Sequence, residues 1–244
     1  MKNNKCIILV TSWDGAEELW TPFANAINKF WEHCPFKIYL ITQTKIPTIK
    51  LFDKVIRSPE KYTSNRLQKA LPIIDSKYIL SIADDFFINE YVNTDKILQT
   101  LDMMDKFSLD YLKFYNGGTN NFIFSFGPSI IKRDVFLEFA NKSPNKYARE
   151  FEINVNKIMS SCEKKYNVQQ YKYVFTNHCV LEGYWIWSSY KWCKKNGIAL
   201  TFKTYHKPNV FHSIYSFLKA FLFNFILKFF PNIYKAYSQK KYCK

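Results

Sequence analysis

Beyond Glu182 the 244-residue sequence has no acidic residue. Residues 183–244 hold eleven lysines and no arginine, so the last quarter carries most of the formal charge of +15. A one-signed stretch of this kind points to an anionic partner, nucleic acid or anionic lipid. No C-x-x-C occurs among the six cysteines, and no Cys/His pair has zinc spacing. That excludes a metal–thiolate centre, and the scattered thiols read as reduced core residues of a cytosolic protein. The apolar stretch near the start is too short for a signal peptide and lacks a small-residue cleavage pattern. Only six glycines occur, beside many Lys, Asn and Ile, which reads as genomic composition bias.

What is present is apolar and aromatic. The chain is 48% hydrophobic, with 23 Phe, 17 Tyr and 6 Trp. That suffices for a sizeable core and excludes wholesale disorder. The continuous run "KCIILVTS" (5–12) predicts a strand buried on both faces. A helical pattern on Leu19, Phe23, Ile27 and Phe30 follows, then "FKIYLIT" (36–42) as a second strand. Strand, helix, strand is a βαβ unit, so a mostly parallel sheet flanked by helices is expected. Further along, strands are predicted over 54–58 and 77–83 and helices over 64–74 (capped by Ser64 or Asn65), 94–107 (capped by Thr94), about 133–142 and 147–166. A β-rich stretch to Trp185 and a last helix ending at Asn196–Gly197 complete the pattern. No repeat, linker or internal boundary is visible before about residue 210.

"YILSIADDFFINEY" (78–91) ends an apolar run on two adjacent carboxylates, Asp84 and Asp85. Like charges so close repel, and burying either alone is expensive. Water solvates them in an ordinary turn, or a cation or substrate sits there. In open α/β sheets ligands bind at the carboxyl ends of strands. Hard oxygen donors at such a place suit Mg²⁺ or Mn²⁺, which in turn suits a diphosphate.

Residues 211–244 differ from the rest, being dense in Phe and Lys. Ser213–Phe230 is interrupted by Lys219, Asn224 and Lys228, and a spanning helix needs about 20 mainly apolar residues. An amphipathic helix lying in the membrane interface is expected, against the alternative of a helix docked on the protein's own core.

In order and spacing, "TSWDGAEELWTPFANAINKFW", "PFKIYLIT", "RLQKAL" before "YILSIADDFF", "FSFGPSIIKRDVF", "YAREFE" and "LEGYW" resemble the bacterial GT-A-type glycosyltransferases of polysaccharide, capsule and lipo-oligosaccharide assembly. The resemblance covers roughly residues 5–210, which it implies are the catalytic domain, with 211–244 as a membrane-interface segment. It implies a GT-A-like sheet, a nucleotide-sugar donor (a UDP-sugar first), and a lipid-linked or oligosaccharide acceptor. It also implies a location on the inner face of the cytoplasmic membrane. The acidic pair departs from the family's Asp-x-Asp form, which bears on metal dependence.

The resemblance also distributes roles. Asp85 is the metal ligand, and Asp84 touches ribose or assists the metal. Thr11 and Asp14 hold the base and ribose, while Arg66 reaches the donor, its alternative being a surface arginine. Inverting transfer needs a carboxylate base for the acceptor hydroxyl. Glu150 and Glu152 are the candidates, two apart and so on different helix faces; family position favours Glu152, and a solvated helix face is the alternative. Gly127, in a Gly-Pro bend, shapes the acceptor or sugar pocket. His206 completes a metal site or is structural, and Lys207 contacts the diphosphate. Trp185 or Trp187 stacks on a sugar or packs in the core. The rival readings are a metal-dependent nuclease or phosphotransferase, and a non-catalytic membrane- or nucleic-acid-binding protein. No nucleic-acid-binding motif occurs, and no nucleic-acid partner is expected.

Overall fold

The computed structural model describes residues 3–115, 124–161 and 166–209, together with Phe211, Ile214 and Leu218. A seven-stranded sheet is built from β1 (Asn3–Thr11), β2 (Phe36–Thr42), β3 (Lys54–Arg57), β4 (Tyr78–Ala83), β6 (Tyr111–Tyr115), β7 (Ser129–Lys132) and β8 (Val168–Lys172), with β5 (Phe86–Ile88) standing outside it. Its order is β3-β2-β1-β4-β7-β6-β8. Only β7 runs against the others. The expected mixed, mostly parallel α/β architecture is thus what the chain adopts.

The reason lies in the strand sequences. In β1, Cys6, Ile8 and Val10 enter one core cluster, while Ile7 and Leu9 enter the other. Successive side chains point to opposite faces, so a continuous apolar run is a strand covered on both sides. Helices α1 (Glu17–Phe30), α3 (Thr94–Lys106) and α6 (Trp187–Lys195) contribute to the first cluster. Helices α2 (Thr63–Ala70), α4 (Arg133–Asn141) and α5 (Ala148–Ser160) contribute to the second. Layer order is helix, sheet, helix.

Two helix starts differ from expectation. Neither Ser64 nor Asn65 caps α2, which starts at Thr63 with no side-chain cap. The Ser64 hydroxyl exchanges hydrogen bonds with the Lys146 backbone, and Asn65 pairs with Asn145. Their polar atoms fasten α2 to the turn before α5 instead. Asn93, not Thr94, caps α3 by accepting the Lys96 amide at 3.0 Å, and the Thr94 hydroxyl accepts from the Trp31 indole.

At the edge where the parallel strands begin, Asp105 accepts from Lys5 (2.6 Å), Lys77 (2.5 Å) and the Tyr78 hydroxyl (2.7 Å). These bonds hold its pKa below the ordinary carboxylate value. A depressed carboxylate stabilises the fold above its unfolded pKa and loses that contribution as pH falls toward the folded one. Asp105→Asn is expected to cost about 1 kcal/mol at pH 7, water screening having been allowed for. The difference should shrink below about pH 4. Urea melts at pH 7 and pH 3 check this.

The other edge of the sheet positions the candidate site. Thr11 is in register with Ala83 and with Ile41, so β1, β2 and β4 end together. Because β7 is antiparallel, the segment leading into it, Phe124–Pro128, crosses the same edge. There the Ala83 amide donates to the Phe126 carbonyl at 3.1 Å. A short ladder of β5 with β9 (Thr176–His178) places His178 opposite Phe86. A hairpin of β10 (Val180–Leu181) and β11 (Tyr184–Trp185) follows. Its turn residues Glu182 and Gly183 have φ of 50° and 83°, the left-handed pair that a two-residue hairpin favours.

Candidate active site

Asp84 and Asp85 follow the last residue of β4, but their environments differ. Asp84 is 7% exposed. Its amide donates to the Thr11 carbonyl at 3.3 Å, and its carboxylate accepts from the Ser12 hydroxyl, which in turn accepts from the Trp20 indole at 2.7 Å. Burial, then the neighbouring Asp85 charge, push the Asp84 pKa well above the ordinary value against the pull of Ser12 and Arg66. Asp85 stands further out. Its Oδ2 lies 2.9 Å from His178 Nε2, and its carbonyl accepts the Cys179 amide at 2.7 Å. Burial opposes a charge on His178, and the Asp85 carboxylate outweighs it, so the histidine pKa is raised. The imidazole stacks on Phe86, 4.7 Å between centroids and 17° between planes.

A carboxyl group with a raised folded pKa favours the fold at low pH and loses that advantage as pH rises through the folded value. Asp84→Asn keeps an oxygen for Ser12 and removes the buried charge. In EDTA-containing buffer at pH 8 it is expected to raise Tm by about 3 °C. The gain should fade toward pH 4, where the wild-type carboxyl is protonated. Calorimetric scans across pH read both.

Arg66 is 4% exposed, so it is not a surface arginine. It donates to the carbonyls of Glu60 (3.1 Å) and Lys61 (3.0 Å) and to the Thr63 hydroxyl (3.2 Å), while its buried Nε has no partner among the described residues. Burial lowers its pKa, and the charges of Asp14 and Asp84 oppose that shift. The Asp14 carboxylate is taken by the 43–45 turn, accepting the amides of Gln43, Thr44 and Lys45 and the Thr44 hydroxyl. Those bonds overcome the effect of burial and lower its pKa. Its visible work is to tie the end of β1 to the end of β2. The Thr11 hydroxyl is buried without a partner among the described residues.

Glu152, on α5, turns inward across the edge. Its Oε1 accepts the Phe126 amide at 2.8 Å, and its Oε2 lies 3.1 Å from the exposed Arg149 guanidinium. Its charge bears on His178 and on the buried Lys113. Glu150 faces away and is exposed, its Oε2 accepting the Tyr147 amide at 3.3 Å. It closes the first turn of α5 and is not placed for chemistry. Gly127 lies against Phe86, where an added Cβ would meet the ring at an ordinary 3.5 Å.

Three expected site residues stand apart. Trp185 is 1% exposed with its ring edge-on to Phe87, so core packing claims it and no face is open to a sugar. Trp187, two residues on, is the exposed one. His206 is exposed and pairs with the Tyr184 ring, and its backbone joins β11. It forms no metal-binding group with the aspartates; among the described residues no three His, Cys, Asp or Glu side chains converge in that way. Lys207 lies over the Phe202 ring at 5.5 Å. Sequence reasoning passed over Ser12, Glu18, His178 as the Asp85 partner, and Tyr205. The phenol of Tyr205 lies where burial and the charges of Asp84 and Asp85 raise its pKa.

Asp85, with His178 bracing its Oδ2, is a short donor set. It fits a hard cation that keeps water and phosphate oxygens as its other ligands, as Mg²⁺ does, and does not fit a closed protein cage. No protein-family model and no curated protein matches this chain. Among solved structures, it is similar to a cytidylyltransferase from Leptospira borgpetersenii serovar Hardjo-bovis (strain JB197). That match has 14% identity and a TM-score of 0.49, and covers 84% of this chain and 100% of that one. A CMP:2-keto-3-deoxy-manno-octonic acid synthetase complexed with CTP is similar at 12% identity and a TM-score of 0.48, over 70% of this chain and 91% of that one. S. aureus TarS 1–349 is similar at 14% and 0.41, over 70% of this chain and 60% of that one. These likenesses are distant, and no residue role follows from them.

Proposed function

We propose that the chain is a nucleotide-sugar-dependent glycosyltransferase that inverts the anomeric centre. One observation carries the reading. The carboxylates at the end of β4 differ in burial, and the buried one is backed by an arginine, while a third carboxylate, Glu152, faces the same edge. An outer carboxylate for a cation on the diphosphate and a separate base are the parts such a transfer requires.

On this reading Asp85, braced by His178, takes the cation and diphosphate side of a UDP-sugar, and Asp84 lines the nucleotide side with Thr11. Arg66 adds positive charge beside the donor through its field. A bound Mg²⁺ or Mn²⁺ would neutralise charge developing on the leaving diphosphate. Glu152 takes the proton from the acceptor hydroxyl. The acceptor oxygen bonds to the anomeric carbon as the bond to the diphosphate breaks, and nucleoside diphosphate leaves. Gly127 lies beside Phe86, on the side where the acceptor would enter.

The acceptor on this reading is a lipid-linked or lipo-oligosaccharide saccharide at the inner face of the cytoplasmic membrane. Most of residues 211–244 lies outside the described residues. Phe211, Ile214 and Leu218 are exposed by 84%, 52% and 50% and follow helical spacing, which supports an interfacial helix. No described helix is long and apolar enough to cross a membrane.

The test is a screen of nucleotide sugars with and without Mn²⁺. Release of nucleoside diphosphate from one of them supports the reading. Release of pyrophosphate from a nucleoside triphosphate and a sugar, with no donor hydrolysed, replaces it with nucleotidyl transfer.

A further inference from the structure

Trp13 stands at the site edge of the sheet, two residues past the end of β1, and is 47% exposed. Its neighbours are fastened on both sides. The Ser12 amide donates to the Ile41 carbonyl at 3.2 Å, and the Ser12 hydroxyl donates to the Asp84 carboxylate. The Asp14 carboxylate is filled by the 43–45 turn. Trp13 itself is extended, with φ of −151° and ψ of 162°, and its carbonyl accepts the Ala16 amide at 2.9 Å. The indole is backed by Gly15. A Cβ on that residue would stand 2.2, 2.3 and 2.7 Å from Cη2, Cζ3 and Cζ2 of the ring. Distances so nearly equal place that point over the face of the ring, since an approach to its edge would leave the third atom much further off. The missing side chain of Gly15 is what lets the ring lie there. The turn behind the ring is held in its own right. It leads into the first turn of α1, where Glu18 accepts the amides of Lys203 (2.5 Å), Thr204 (3.2 Å) and Tyr205 (2.6 Å).

We infer that Trp13 is the platform on which the base of a bound nucleotide stacks, and that Gly15 holds the platform in place. The inference rests on the nucleotide-sugar reading of this edge. Asp84 lines the nucleotide side on that reading, and Trp13 adjoins the serine that holds Asp84. Asp14, expected to hold base and ribose, has its carboxylate occupied elsewhere. Among residues 11–16 only Trp13 is exposed, so the indole is what this stretch offers a ligand. An aromatic ring with one face against backbone is already ordered and gives up little freedom on binding. Every base has a π-face, so stacking adds affinity without choosing among the bases.

The experiment titrates UDP, CDP, GDP, ADP and inorganic pyrophosphate, each with Mg²⁺, into wild type, Trp13→Ala, Trp13→Phe, Gly15→Ala and the double variant Trp13→Ala/Gly15→Ala by calorimetry. Trp13→Ala is expected to bind the preferred nucleotide more weakly by about tenfold or more, with Tm and pyrophosphate binding unchanged. Trp13→Phe keeps a smaller ring and should lose less. Gly15→Ala pushes the ring aside, so it should weaken nucleotide binding in the wild-type background and add nothing to Trp13→Ala. Trp13→Ala binding nucleotide like wild type overturns the inference alone. An equal loss of pyrophosphate binding overturns it too, because the change then lies on the phosphate side and not at the base. Losses at Trp13 and Gly15 that multiply overturn the role of Gly15. Wild-type protein that binds none of the four nucleotides overturns the nucleotide reading itself, and the platform with it.

Discussion

Asp85→Ala is expected to lower kcat/KM for sugar transfer by more than about a hundredfold, the upper end of what losing an outer-sphere metal partner costs. The geometry sets Asp85 apart from Asp84. The inner carboxylate is enclosed by Ser12 and the end of β1, whereas Asp85 keeps 28% of its side chain exposed beside His178. On the proposed reading it is the member of the pair that takes a diphosphate-bound cation. His178→Gln should cost less, about tenfold, because it removes the brace and leaves the ligand. Initial rates against Mn²⁺ concentration separate the two effects. The His178 variant should recover at high Mn²⁺, and the Asp85 variant should not. An Asp85→Ala protein working at the wild-type rate would end the metal role of this residue.

How much of this was legible in the sequence depends on how far apart the partners lie. The runs that became β1, β2 and β4 are local statements about burial on two faces, and they stand within a residue or two of expectation. The position of the acidic pair at a strand end follows from them. Glu150 and Glu152 also separated as two residues on a helix must, one closing the helix start and one facing in. Contacts between distant segments were not legible. The Asp85–His178 pair joins residues 93 apart, and the Glu18 bonds join residues up to 187 apart. For Arg66 the helix pattern leaves a donor contact and a surface position both open, and the carbonyls of the preceding loop that hold it inside are not visible there. Trp185 and Trp187 share one strand-like alternation, and the chain turning into α6 at Trp187 decides which is core. Ser64 and Asn65 looked like caps because their residue types cap helices. The turn before α5, some 80 residues on, took their polar atoms instead.

Glu152→Gln is expected to lower kcat by about a hundredfold to ten-thousandfold, the range for removing a general base, while leaving the KM for the donor within a few-fold of wild type. Glutamine is the informative change because Glu152 holds two contacts of different weight. Its Oε1 accepts the Phe126 amide, which fixes the segment whose carbonyl in turn receives the Ala83 amide beside the acidic pair. A glutamine oxygen can still do that, so the edge of the sheet keeps its shape. The other oxygen meets Arg149, whose side chain is 61% exposed and can swing into solvent when an amide replaces it. Alanine would release the Phe126 segment and mix a structural loss with a chemical one. A fall in kcat at unchanged donor KM marks an interaction made in the transition state and not in donor binding. If kcat instead stays within a few-fold of wild type while Tm is unchanged, Glu152 is only the tie between α5 and the Phe126 segment, and the base lies elsewhere along that edge.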